Sequence, residues 1–309
     1  MSKRRVLVVH YSSPSGQLSD VIRNFSAPLA ESGDIELHEL VLRPRKPYPF
    51  PWPILRFFDT FPETIYLDPP EMEPFGPDAS LHYDLVILGY QVWFLSPSGP
   101  TTAFLKDAAV QAMLKETPVV TVIACRDMWL MAQERVKEFL AKAQASLVGN
   151  VVLIDEGGSI GSLLATPIWM MTGKRGPLLA GLIPRAGVRP EQIKASRRFG
   201  ERIVAALKRG DALDATLLRG LGAVKVNTRL ITTEKAARRS FLGWGALLRL
   251  LGKQGAWTRK PVVIIYIFFL IALLITVLPL SMLLKTLAAP LLRKRIAAQQ
   301  AYFSQPSGE

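Results

Sequence analysis

The sequence predicts an α/β domain on a doubly wound, five-stranded parallel sheet, followed by an amphipathic segment and one transmembrane helix. Three observations carry this. Five short apolar runs, each followed by a turn and most by a helix-like segment, recur between residues 5 and 210. That alternation specifies a parallel sheet with helical crossovers. The central runs, such as Leu85 to Leu88 (LVIL) and Pro118 to Ala124 (PVVTVIA), are apolar throughout, as suits strands buried on both faces. Farther on, Pro261 to Leu284 is a 24-residue stretch without a charge. As a helix it would extend roughly 36 Å, enough to cross a hydrocarbon core of about 30 Å.

The first strand is Arg5 to His10 (RVLVVH), and a hydroxyl- and glycine-rich turn, Tyr11 to Leu18 (YSSPSGQL), leads into a helix over Gln17 to Ala30. Such a turn at a helix N-terminus can hold a phosphate through backbone N–H groups, the helix dipole and serine hydroxyls. It is neither a Walker loop nor a GxGxxG fingerprint. Ile35 to Leu42 alternates and reads as the second strand. Residues 43–80 are rich in proline and aromatics (PYPFPWPILRFFDTFPET), which confines a helix to Ile54 to Asp59. Two readings of this insertion stand side by side: a cover over one edge of a ligand site, or a surface loop packed by its own rings.

The third strand ends at Gly89, and a loop with Tyr90, Gln91, Trp93 and Phe94 follows before a helix from Thr101 to Met113. Ligands of open α/β sheets bind beyond the carboxyl ends of the strands, which is where this loop falls. The fourth strand, Pro118 to Ala124, delivers Cys125, Arg126, Asp127, Met128 and Trp129 into another loop before a helix over Leu130 to Gln144. Val148 to Ile154 is the fifth strand. Residues 155–190 show no clear period and read as a second insertion, a lid or a membrane-touching loop. Glu191 to Lys208 reads as the last helix. The predicted domains are 1–210 for the sheet domain, 211–260 for a basic juxtamembrane linker, 261–284 for the membrane helix and 285–309 for a basic tail.

The +13 formal charge invites a nucleic-acid reading, but its distribution excludes one. From Lys225 onward there are 13 Lys and Arg against 2 acids, so residues 1–224 carry only +2. Phe241 to Trp257 combines Leu and Trp with Arg249 and Lys253, as an interfacial helix would. Nine basic residues precede the apolar stretch and four follow it, which predicts a cytoplasm-facing N-terminal body on the inner membrane. No signal peptide is expected, because the apolar run after Lys3 to Arg5 is too short. One cysteine, Cys125, excludes an internal disulfide and agrees with a reducing compartment.

On the loops Tyr11 to Leu18, Tyr90 to Ser98 and Cys125 to Trp129, residues 5–210 resemble the flavodoxin-like superfamily of FMN-binding proteins and quinone reductases. The phrases YQVWFLSPS, ACRDMW with MAQERV, and PFPWP with FFDTFPET look more narrowly like the dialkylresorcinol-condensing proteins of bacterial polyketide-like clusters. That resemblance implies an FMN-dependent oxidoreductase that aromatises a long-chain cyclohexanedione made by a partner ketosynthase. Such a reaction removes two electrons and two protons, and a flavin accepts them as hydride plus proton. The alternatives are a membrane NAD(P)H:quinone oxidoreductase and a non-catalytic scaffold that recruits the ketosynthase.

The resemblance assigns the FMN phosphate to Ser12, Ser13, Ser15, Gly16, Gln17 and Leu18, and the ring to Gln91, Val92, Trp93, Phe94, Cys125 and Arg126. Core packing is the plainer reading of Trp93 and Phe94. Arg126 and Trp129 are substrate candidates, although Arg126 beside Asp127 also reads as a structural ion pair. Asp127 and Tyr90 are placed as proton acceptors. His10 reads as a core histidine and Cys125, outside any flavin role, as a small hydrophobe. No Cys/His cluster has metal-ligand spacing. The lipid-like substrate, the membrane and a possible oligomer complete the expected partners.

Overall fold

The computed structural model describes residues 3–75, 81–155, 157–276, 280 and 292–308. Strands β1 (Arg4–Tyr11), β2 (Ile35–Leu42), β3 (Leu85–Trp93), β5 (Pro118–Cys125) and β6 (Ser146–Ile154) form one parallel sheet in the order β2-β1-β3-β5-β6. A two-residue strand, β4 (Ser96–Pro97), folds back antiparallel on the end of β3. Leaving that hairpin aside, this is the flavodoxin-like doubly wound order, with its switch point between β1 and β3. The predicted fold class holds.

Both sheet faces are covered, which is why the strand sequences are so uniformly apolar. Val6, Val8, Leu85 and Ile87 pack on helices α1 (Gln17–Ala30) and α9 (Arg197–Arg209). Leu7, Val9, Val86 and Leu88 face α4 (Gly99–Lys106), α5 (Ala108–Leu114) and α6 (Leu130–Lys142).

Several boundaries differ from expectation. Gly89 does not end β3, which runs on to Trp93. A Cβ at Gly89 would lie 2.5 Å from Ile22 Cδ1, so glycine here lets α1 approach the strand backbone. Phe94 and Leu95 then form the hairpin turn, both with positive φ. Two consecutive positive-φ residues match a twisted-hairpin turn that usually takes Asn-Gly. The helix expected over 101–113 is divided at Asp107, whose carboxylate accepts N–H bonds from Ala109 (2.9 Å) and Val110 (3.0 Å) and starts α5. The last predicted helix divides likewise into α8 (Pro190–Ala195) and α9. The stretch without clear period holds α7 (Gly158–Thr172).

The proline-rich insertion folds into α2 (Ile54–Asp59) and α3 (Phe61–Ile65), and these face the tail. Helices α10 (Ile231–Leu250) and α11 (Lys260–Ile275) close a second apolar cluster with Phe61, Ile65, Leu248, Val263 and Tyr266. Buried Arg259, just before α11, pairs with Asp59 at 3.0 Å and with Glu63 at 2.9 Å. The segment Trp257–Ile275, 19 residues at mean hydropathy 2.1, is long and apolar enough to cross a membrane. Of the remainder of the expected span, Val277 to Pro279 and Ser281 to Leu284 lie outside the described residues, as does the kink expected at Pro279. A final helix, α12 (Arg293–Ser304), lies against the sheet domain.

Candidate functional site

A cleft opens where the chain leaves β1 and β3, at the switch point of the sheet. Its floor and walls include Tyr11, Ser13, Ser15, Gln91, Trp93, Cys125, Arg126 and Asp155. The loop after β1 is held by a backbone bond from Gly16 N to Ser13 O (2.9 Å), and Gly16 takes φ +72° immediately before α1. The Ser13 and Ser15 hydroxyls hydrogen-bond each other at 2.9 Å. Gln91 Nε2 donates to Ser13 Oγ (2.9 Å), while its buried Oε1 has no partner among the described residues. Gln91 itself is among the residues that line the cleft.

The two insertions wall the cleft. Tyr48, Phe50, Trp52 and Phe57 enter from the proline-rich segment, and Thr166, Trp169 and Met170 from α7. They are joined by a Trp52 N–H bond to the Met170 carbonyl (2.8 Å) and by the edge contact of Phe50 with Trp169. Trp93 stands edge-on to Tyr48 (4.9 Å), Trp52 (5.9 Å) and Tyr11 (6.1 Å). Burial pushes the Tyr11 phenol up to about 12 and raises Tyr48 as well, so both stay protonated near neutrality.

Two cations flank this chamber. Arg175 donates from Nη2 to the Ser15 carbonyl (3.2 Å), and its guanidinium lies 4.5 Å over the Trp169 ring. Burial and the nearby Arg185 charge lower its pKa, the direction that an anion at the loop would reverse. Arg126 is half-buried and donates to Met128 Sδ at 3.6 Å. Its pKa is lowered by burial, against the attraction of Asp127 and Asp155. Asp155 is held on all sides, accepting from Gly157 N (2.8 Å), Thr166 Oγ1 (3.0 Å) and Gly187 N (2.7 Å).

The cleft thus brings together Ser13, Ser15, Gln17, Leu18, Gln91, Val92, Trp93, Phe94, Cys125 and Arg126. Other candidates are placed elsewhere or differently. Tyr90 is fully buried in the core; its hydroxyl donates to Gln133 Oε1 (2.5 Å) and does not line the cleft. This corrects its placement as a proton acceptor, because the strand continues past Gly89 and turns Tyr90 inward. Trp129 is likewise buried, at 1% exposure, away from the cleft. Asp127 accepts from Asn227 Nδ2 (2.9 Å) and lines a neighbouring cavity instead. Ser12 Oγ accepts from Ser19 Oγ (3.0 Å) beside the cleft rather than on its lining. Gln17 turns its Oε1 to Val188 N (2.9 Å), and Leu18 belongs to the core under α1. Phe94 faces both ways, lining the cleft and touching Phe57 and Phe61.

Sequence reading offered the insertions that hold Tyr48, Trp52 and Trp169 as a cover and a lid without assigning these residues to the site, and it missed Arg175. The aromatic density of PYPFPWP was the available signal for the first two. Nothing local marks Arg175, which the fold carries 160 positions from Ser15.

No family model and no curated protein matches the chain. Solved structures do. They include a flavoprotein in complex with FMN from Lactobacillus acidophilus, 16% identical, covering 49% of this chain and 93% of that one at TM-score 0.38. A flavodoxin from the domain Archaea is 9% identical and covers 66% and 99% at TM-score 0.35. Oxidised flavodoxin 1 from Bacillus cereus is 14% identical and covers 65% and 97% at TM-score 0.35. These neighbours are flavodoxin-like flavoproteins; at such scores the fold assignment rests on the strand order itself.

Proposed function

We propose that the protein is an FMN-dependent oxidoreductase acting on an amphiphilic, ring-bearing substrate drawn from a membrane. The carrying observation is the cleft at the β1/β3 switch point, whose lining combines Ser13, Ser15 and an aromatic wall with Gln91, a side chain that donates to Ser13 and keeps a buried acceptor unpartnered among the described residues. These residues fit the cofactor. Ser13, Ser15 and Arg175 would hold its phosphate, and Gln91, Trp93 and Arg126 would border its ring. When bound, FMN supplies a two-electron acceptor for hydride.

The chain's own part is to orient and to exclude water. Tyr48, Trp52 and Trp169 close the chamber. Arg126 favours an anion in the cleft, and the enolate of a cyclic 1,3-dione is such an anion. Aromatising that dione to a resorcinol removes a hydride and a proton, the latter passing to solvent at the mouth.

The lipid-like substrate is supported by a run of rings from cleft to apolar helix: Trp52, Phe57, Phe58 and Tyr266 follow one another at 5.6, 5.2 and 6.1 Å. In this reading a partner ketosynthase supplies a dialkylresorcinol precursor to the body from the inner membrane. A second reading, an NAD(P)H:quinone reductase, is favoured by the neighbouring cavity of about 960 Å³, which carries Arg189, Arg198, Lys225 and Arg229 and shares Asp155 with the cleft. Its cations suit a polyanionic reductant.

The test is titration of the detergent-purified protein with FMN, followed by flavin absorbance and fluorescence. Saturable one-to-one binding, lost in a Ser13→Ala/Ser15→Ala variant, is expected. A protein that takes up no FMN would overturn both redox readings and leave the non-catalytic scaffold.

A further inference from the structure

The chain after the apolar helix comes back to the body from which that helix departs. Tyr302 Oη donates to Glu134 Oε2 on α6 (2.7 Å), and Lys137 lies 4.9 Å over the Tyr302 ring. Phe303, 5% exposed, joins the core cluster beneath α6. Ser307, 1% exposed, accepts the Asn150 N–H of edge strand β6 at 2.9 Å. These contacts serve a purpose in the fold, since an edge strand left bare offers unpaired N–H groups to other chains. At the other end, α11 is tied to the same body through Arg259, and Val263 and Tyr266 are buried against the insertion.

Groups that touch lie on one side of a membrane. If Lys260–Ile275 crossed once, α12 and Ser307 would be separated from α6 and β6 by the bilayer. A second full crossing is not available either. Fifteen residues, 277–291, separate Thr276 from Leu292, and Lys285 is among them. Within hydrocarbon the backbone must be helical, and fifteen helical residues extend about 22 Å, short of the about 30 Å core.

We propose that α11 is a monotopic membrane-binding surface, seated in the leaflet nearest the body. The partner is the acyl region of that leaflet. The exposed face of α11, with Ile264, Ile265, Phe268, Ile271 and Ile275 at 42 to 69% exposure, is the surface inserted. Val263 and Tyr266 hold the opposite face on the protein. The charge pattern agrees. A single span is ordinarily basic on one flank, yet here Lys253 and Lys260 precede the helix and Arg293, Lys294 and Arg295 follow it. With both flanks at one surface, all these exposed cations meet the same headgroups.

The inference rests on the membrane part of the proposed function and not on its flavin chemistry. It is tested with the full-length chain carrying Cys125→Ser and either Lys253→Cys or Lys294→Cys. Membrane-impermeant maleimide is added to sealed vesicles of both orientations. Wild type bearing an epitope tag at each terminus is probed in parallel by protease protection, so the result does not depend on the cysteine background. Both positions are expected to label, and both tags to be cleaved, in the same vesicle orientation. Labelling of Lys294→Cys only in the opposite orientation from Lys253→Cys would overturn monotopy and leave membrane attachment standing. Recovery of the wild-type chain in the soluble fraction would overturn both.

Discussion

Glu234 shows how a single buried group can set a property of the whole chain. It reaches from α10 to the N-terminus of α6, accepts the Met131 N–H at 3.0 Å, and is fully buried. Burial pushes its carboxyl from 4.5 up to about 8, against the pull of the backbone donors. The folded protein therefore holds a proton that the unfolded chain releases. This contribution to stability is complete below about pH 4.5 and is lost as pH rises through about 8. Urea midpoints of the wild type should fall more steeply, or rise less, between pH 5 and 9 than those of Glu234→Gln, which keeps an acceptor and cannot ionise at this position. At the cleft, Gln91→Ala removes the unpartnered acceptor and the donor to Ser13 together. FMN affinity should fall roughly five- to 150-fold, in line with about 1–3 kcal/mol for a buried polar contact, read by fluorescence titration. An unchanged affinity would remove Gln91 from the site.

At the scale of elements, the contact of α1 with β3 positions the loop after β1. Gly89 lets Ile22 lie on the strand backbone, and a Cβ there would approach Ile22 Cδ1 to 2.5 Å. Gly89→Ala should cost about 1–3 kcal/mol through overpacking, measured by thermal or urea unfolding. Ile22→Val in the same chain shortens the offending side chain and should recover part of the loss; no recovery would place the strain elsewhere. The same contact explains why β3 passes Gly89 without breaking. The strand needs no side chain there, and its continuation carries Gln91 and Trp93 to the cleft while turning Tyr90 into the core.

Across the whole molecule, the insertion, the tail and the sheet domain form one connected body. The insertion lends its Tyr48 and Trp52 to the cleft and its Phe61 and Ile65 to the tail helices. Arg259, with 0% exposed side chain, is the pin between them, paired with both Asp59 and Glu63. Removing one partner of such a buried pair typically costs about 3–5 kcal/mol, because the remaining charges stay desolvated. Arg259→Ala should therefore release α11 from α2 and α3, seen as faster proteolysis after residue 250, while Arg259→Lys should restore less than the original protection because it lacks the two-pronged geometry.

The sequence alone determined the layers of this protein, for a local reason. Unbroken β-branched runs, a helix signal from Gln17 to Ala30 and a charge-free stretch are each written in neighbouring residues. The parallel sheet and the apolar tail helix were therefore legible, as were Ser13, Gln91 and Arg126 as residues at strand ends. Tertiary structure decided what depends on distant partners. The course of β3 past Gly89 is set by Ile22, and the cleft wall by rings that arrive from two insertions. Arg175 reaches Ser15, and Ser307 reaches Asn150, across 160 and 157 positions. No local pattern encodes such meetings, because they exist only once apolar burial has brought the segments together.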